Sequence, residues 1–163
     1  MTKRLLSLEE DESYLGAFGI YSDAQAARFC YQLNEQSIWR FHRSQDFNQA
    51  SDGRPGVYPH FQHSDWRFRV TLHLLGNKPL NFALSETPAS GLFANLVEIS
   101  PWINSKDHFD YYLWYEFEMP IPRLEKTVRS FLESNTIIKT FQKLSARDCA
   151  AIQNQINQAY GRQ

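Results

Sequence analysis

Hydrophobic positions along the chain follow two spacings, one of period two and one near 3.6, and the changeovers between them mark the elements. Residues 14–20 (YLGAFGI) are apolar at nearly every position, which predicts a strand covered on both faces, with Gly16 and Gly19 leaving room for close packing. Ser22 followed by Gln25 matches a capping box, and Ala26, Phe29, Cys30 and Leu33 then make an apolar helical stripe, predicting a helix over 23–36. Residues 37–43 alternate as a strand. Residues 44–59 are polar and hold Asp52-Gly53-Arg54-Pro55-Gly56, which predicts a surface loop. Over 65–75 the alternation is clear: Trp66, Phe68, Val70, Leu72 and Leu74 share one face, and Arg67, Arg69, Thr71 and His73 the other. Gly76-Asn77-Lys78-Pro79 reads as a turn, with Leu80, Phe82 and Leu84 returning as the second strand of a hairpin. A short strand is expected over 96–99.

The second long strand is expected over 108–118, with Phe109, Tyr111, Leu113, Tyr115 and Phe117 on one face and Asp110, Tyr112, Trp114, Glu116 and Glu118 on the other. Pro120 and Pro122 end it. Leu124, Val128, Phe131 and Leu132 give a helical stripe, 137–144 reads as a strand, and Ser145 to Asp148 is a capping signal. Cys149, Ile152, Ile156 and Tyr160 then mark a last helix. The sum is an α+β fold, a mostly antiparallel sheet with about three helices packed on it. The strand–helix–strand run over 108–144 suggests a ferredoxin-like unit whose two strands pair in parallel. With 163 residues and no convincing linker, the expectation is a single domain over 1–163.

Composition narrows the function. Aromatic residues reach 15%, which excludes a disordered chain, and 17 Lys+Arg against 18 Asp+Glu make a dominant nucleic-acid surface unlikely on charge grounds. Two cysteines, Cys30 and Cys149, are too few for a disulfide scaffold, and no apolar run is long enough for a signal peptide or a membrane helix, so a soluble cytoplasmic chain is expected. No nucleophile elbow, phosphate loop, dinucleotide fingerprint or zincin motif is present. His60 and His63 with Asp65 are the nearest approach to a metal cluster, but no second ligand pair follows, and neither metal nor cofactor is expected.

The stretch Ile103-Asn104-Ser105-Lys106-Asp107-His108-Phe109-Asp110-Tyr111 resembles the signature of the IPExxxVDY family of bacterial proteins. Ile103, Asp110 and Tyr111 match; Phe109 replaces Val, and Asn104 and Ser105 replace Pro and Glu. Residues 6–11 leading to 18–22, and the late strand 137–141, are similar as well. The family brings no established activity, cofactor or catalytic residue, so the resemblance implies no chemistry.

Two surfaces are therefore candidates for function. Tyr112 and Trp114 lie opposite the core face of their strand, so either a helix covers them, the last one with Ile152 and Ile156 being the obvious choice, or a partner does. A homodimer through that face is expected. Arg67, Arg69 and His73 form the other candidate surface. The leading expectation is a non-catalytic binding or protein-interaction module. The alternatives are a small-molecule enzyme assembled from distant loops, such as 100–107 with the histidines, and an RNA-binding protein using the Arg67, Arg69 and His73 face.

Overall fold

The computed structural model describes residues 14–50, 55–80, 100–117 and 123–161. Eight strands and three helices follow one another as β1 (Tyr14–Tyr21), α1 (Ala26–Gln36), β2 (His42–Arg43), β3 (Phe47–Gln49), β4 (Pro55–Tyr58), β5 (His60–Asp65), β6 (Val70–Gly76), β7 (Tyr111–Phe117), α2 (Leu124–Ser134), β8 (Thr140–Lys143) and α3 (Ala146–Ala159). Six strands form one sheet in the order β2-β5-β6-β7-β1-β8, and every neighbouring pair is antiparallel. β3 and β4 make a separate two-stranded ribbon. The fold is α+β, as the sequence predicts. The expected parallel pairing around α2 is not made: β7 and β8 both run antiparallel to β1, so they point the same way, but β1 lies between them.

Alternation along the strands gives the sheet two apolar faces. One carries Phe18, Ile20, Leu72, Leu74, Leu113 and Tyr115, and is covered by Phe29 and Leu33 of α1 with Val128 and Leu132 of α2. The other carries Ala17, Leu75, Tyr112 and Trp114 and is covered by Cys149, Ile152 and Ile156 of α3, with Phe47 and Tyr58 from the ribbon and Trp102 from the following segment. Being apolar on both sides is what residues 14–20 require. Gly19 sits where a Cβ would run into the Phe109 ring, and Gly16 where it would run into Tyr115.

Several expectations are corrected. The strand expected over 65–75 is two strands: Asp65 pairs with Val70, and the four residues between them form the turn of the β5–β6 hairpin. The Asp65 carboxylate accepts the Arg67 N–H at 2.9 Å, and Arg69 has a positive φ of 49°, which closes the turn. The "polar loop" over 44–59 contains the ribbon, with Phe47, Ala50 and Tyr58 buried. Only 42–43 of the strand expected over 37–43 pair with the sheet. The capping box at Ser22 is not formed: α1 starts at Ala26 after Gln25 with no side-chain cap. Ser22 instead donates its hydroxyl to Ile137 O (2.8 Å) and its N–H to Asp110 Oδ2 (3.0 Å).

Asn77, expected in a tight turn, is a buried tie. Its side chain donates to Phe109 O and accepts from Ile103 N–H, both at 2.8 Å, fastening the 102–109 segment. Phe109 precedes β7 rather than belonging to it, and so joins Tyr112 and Trp102 on the α3 side instead of the Tyr111 face. Phe82 and Leu84 of the expected second hairpin strand, the short strand expected over 96–99, and Pro120 and Pro122 lie outside the described residues.

Candidate functional site

Of the residues singled out from sequence, His73 packs on Trp114 with ring centroids 4.5 Å apart and meets His60, whereas Arg67 and Arg69 lie apart from them in the hairpin turn. Tyr112 and Trp114 are each 1% exposed, covered by α3 of the same chain, so they offer no surface to a partner. The helix cover arises because α3 follows β8 directly and presents Cys149, Ile152 and Ile156 at helical spacing. Tyr112 keeps its hydroxyl 3.3 Å from Ser105 Oγ, and burial pushes its phenol up from its ordinary value. Arg67 and Arg69 lie in the hairpin turn, whereas His73 is buried in β6 on the α3 face. The Arg67–Arg69–His73 stripe is therefore not a face, because the turn breaks the alternation that predicted it.

The motif pair Asp110-Tyr111 is a clamp at the start of β7. Asp110 accepts the Ser22 N–H and pairs with Lys78 Nζ at 2.5 Å. Tyr111 donates to Ala24 O and stacks on Phe29 with centroids 4.2 Å apart. Both contacts fasten the β1–α1 junction to the sheet.

His60 and His63 point to opposite faces. His63 Nδ1 accepts the Arg40 N–H at 3.2 Å on the α2 side. Among the described residues no group of three or more His, Cys, Asp or Glu is placed to hold a metal. The 103–107 loop lines a cavity of about 610 Å³ with Tyr112 and the first turns of α3, and no histidine lines it among the described residues.

Two regions remain with the exposure or chemistry of a site. The first is the tip of the β5–β6 hairpin. Trp66 is 82% exposed, Phe68 59% and nearby Ile38 87%. Ile38 and Phe68, with Trp39, Val70 and Leu124, wall a groove of about 310 Å³. Arg123 lines it, the Arg67 guanidinium lies 5.7 Å from the Trp66 ring centroid, and the Arg40 guanidinium is turned to the carbonyls of Asn34, Ser37 and Trp39. Asp65 is the one described carboxylate in the wall.

The second is a chain of polar rings under the end of α3. Fully buried His60 places Nε2 2.9 Å from His73 Nδ1, and Nδ1 3.2 Å from Gln45 O and 3.1 Å from the Tyr160 hydroxyl. A carbonyl only accepts, so Nδ1 of His60 carries the proton and Nε2 accepts from His73 Nδ1–H. Burial lowers the His60 pKa to about 4, which keeps the ring neutral. Phe47 stacks on His60 and on Trp102, both at 5.1 Å. The sequence marked Tyr160 only as part of a core stripe, and nothing in the 44–59 composition signalled Phe47 as a packing residue.

Compared with protein-family models, with curated proteins and with solved structures, the chain matches none.

Proposed function

We propose that this chain is a non-catalytic protein-interaction module that docks its partner at the β5–β6 hairpin tip. The observation that carries the reading is the group of three large apolar side chains, Ile38, Trp66 and Phe68, left exposed beside an apolar groove. Tryptophan and arginine, here Trp66 with the Arg67 guanidinium over its ring, are enriched among the residues that dominate binding energy in protein interfaces. The rim sets the partner's chemistry. Arg123 in the groove wall and Arg67 over Trp66, against Asp65, favour an apolar segment flanked by acidic residues. Two copies meeting at this tip would bring like charges together, so the expected homodimer has no support from this surface, nor from the covered Tyr112 and Trp114. An RNA reading lacks a continuous basic face once His73 is buried. The two buried free thiols fit a reducing compartment, so a cytoplasmic setting belongs to the same proposal. So does kinship with the IPExxxVDY family, in which Asp110 and Tyr111 would serve as the structural clamp described above.

A displayed random-peptide library selected on the wild type, with a Trp66→Ser/Phe68→Ser variant as counter-target, tests this. Enriched peptides should carry paired apolar residues with Asp or Glu beside them. Both substitutions lie in an exposed turn, so the variant should melt within a few degrees of the wild type. Equal enrichment on both proteins, or none on either, would overturn the proposal, and self-association of the wild type in sedimentation would redirect it to a second copy.

A further inference from the structure

A cleft of about 300 Å³ opens between β3 and the C-terminal end of α3, lined by Gln45, Asp46, Asn48, Gln155, Gln158 and Tyr160 among others. That volume is at the small end for ligand pockets, the size of a single ring. Its floor is tied to the interior by the Tyr160–His60–His73 chain. Its two walls are tied to each other, since Gln155 Nε2 donates to Gln49 O at 3.4 Å.

Among the described residues, the charge of the cleft is already spent. Asp46 is held by Arg43, whose Nε and NH2 donate to its two oxygens at 2.7 and 2.5 Å, and it also accepts the His60 N–H at 3.3 Å. Burial keeps His60 neutral, and its Nδ1–H is already committed to the Gln45 carbonyl. Among the described residues, an ion entering the cleft would leave water without gaining a free countercharge. The lining presents carboxamides from Gln45, Asn48, Gln49, Gln155 and Gln158, of which Gln155 already donates to Gln49 O, and one phenol held by His60. Each carboxamide presents a donor and an acceptor side by side, the pattern that neighbouring hydroxyls of a ligand satisfy. A stacking base finds less, because Phe47 is already stacked against His60 and Trp102, and Tyr160 meets Phe47 and His60 with its ring steeply inclined, at 77° and 65°.

From this we infer that the cleft between β3 and α3 binds an uncharged polyhydroxyl ligand the size of one sugar ring, with the Tyr160 hydroxyl, oriented by His60, among its contacts. The site is separate from the hairpin tip and does not depend on it.

Ligand-observed saturation-transfer NMR on the full chain tests it, with D-glucose and N-acetyl-D-glucosamine as probes and glucose 6-phosphate and uridine as contrasts. Saturation transfer is expected to at least one neutral sugar, with the phosphorylated sugar binding no tighter. The double variant Gln155→Ala/Gln158→Ala changes one half-buried and one exposed position of α3, outside its core stripe of Cys149, Ile152 and Ile156, and should stay folded; it should weaken binding at least tenfold. Tyr160→Phe, which removes only the hydroxyl, should weaken it severalfold. No transfer to either neutral sugar would overturn the inference, as would tighter binding of uridine or glucose 6-phosphate. Sugar binding unchanged in the folded double variant would overturn it too.

Discussion

His60 shows at the scale of one residue how burial overrides ordinary chemistry. Its imidazole is fully buried, held by Gln45 O, Tyr160 and His73, and its pKa is lowered from 6.5 to about 4 because the charged form would lose its water. The folded state thus resists a proton that the unfolded state takes up. Above pH 6.5 neither state is protonated at this ring, and the residue adds no pH dependence. As pH falls from 6.5 to 4 the unfolded chain gains a proton that the folded chain does not, and stability drops by on the order of 3 kcal/mol. Urea unfolding of the wild type and of His60→Gln across pH 7 to 4 checks this: the difference between their stabilities should shrink or reverse toward pH 4, and parallel curves would show that His60 titrates normally. The ring was visible in the sequence only as half of a weak metal pair. Its real partners, Gln45, His73 and Tyr160, are separated from it by 15, 13 and 100 residues, and no local spacing could have joined them.

Helix starts show what local sequence does and does not settle. Ser145 and Asp148 read as a cap and are one: Ser145 Oγ accepts the Asp148 N–H at 3.2 Å and donates to its carboxylate at 2.7 Å. Ser22 and Gln25 read equally well, yet Ser22 is drawn to Ile137 and Asp110 and α1 starts without a side-chain cap. Ser145→Ala should therefore cost about 1 kcal/mol in chemical denaturation. Gln25→Ala should cost a few tenths at most, and a cost equal to that of Ser145→Ala would place a cap there after all. The same contrast holds for strands. Alternation located β6 and β7 correctly where pairing partners lay on both sides, because burial on both faces is written into every residue. It failed at Trp66-Arg67-Phe68-Arg69, where strand-like composition continued through a turn fixed by the Asp65 side chain and the positive φ of Arg69. The ribbon of β3 and β4 was missed because three buried residues, Phe47, Ala50 and Tyr58, are scattered among polar neighbours at no regular period.

For the molecule as a whole, the fold buries most of the aromatic side chains among the described residues and leaves Ile38, Trp66 and Phe68 exposed together at the hairpin tip, with Tyr31 exposed separately on α1. α1 and α2 cover one face of the sheet, and α3 with the ribbon covers the other, including Tyr112 and Trp114. No helix among the described residues is long and apolar enough to cross a membrane. The four tryptophans allow a direct test, because their indole N–H groups give separate NMR signals and occupy distinct places. Trp66 is exposed at the tip, Trp39 walls the groove, and Trp102 and Trp114 are buried beneath the α3 face. The decisive measurement is a titration of the ¹⁵N-labelled chain with a peptide of two apolar residues flanked by glutamates, its four indole signals assigned by single Trp→Phe variants. Docking at the tip predicts that the Trp66 and Trp39 signals move together and saturate while those of Trp102 and Trp114 stay in place, and that added salt weakens the shift. A stationary Trp66 signal, or movement confined to Trp102 and Trp114, would contradict the account.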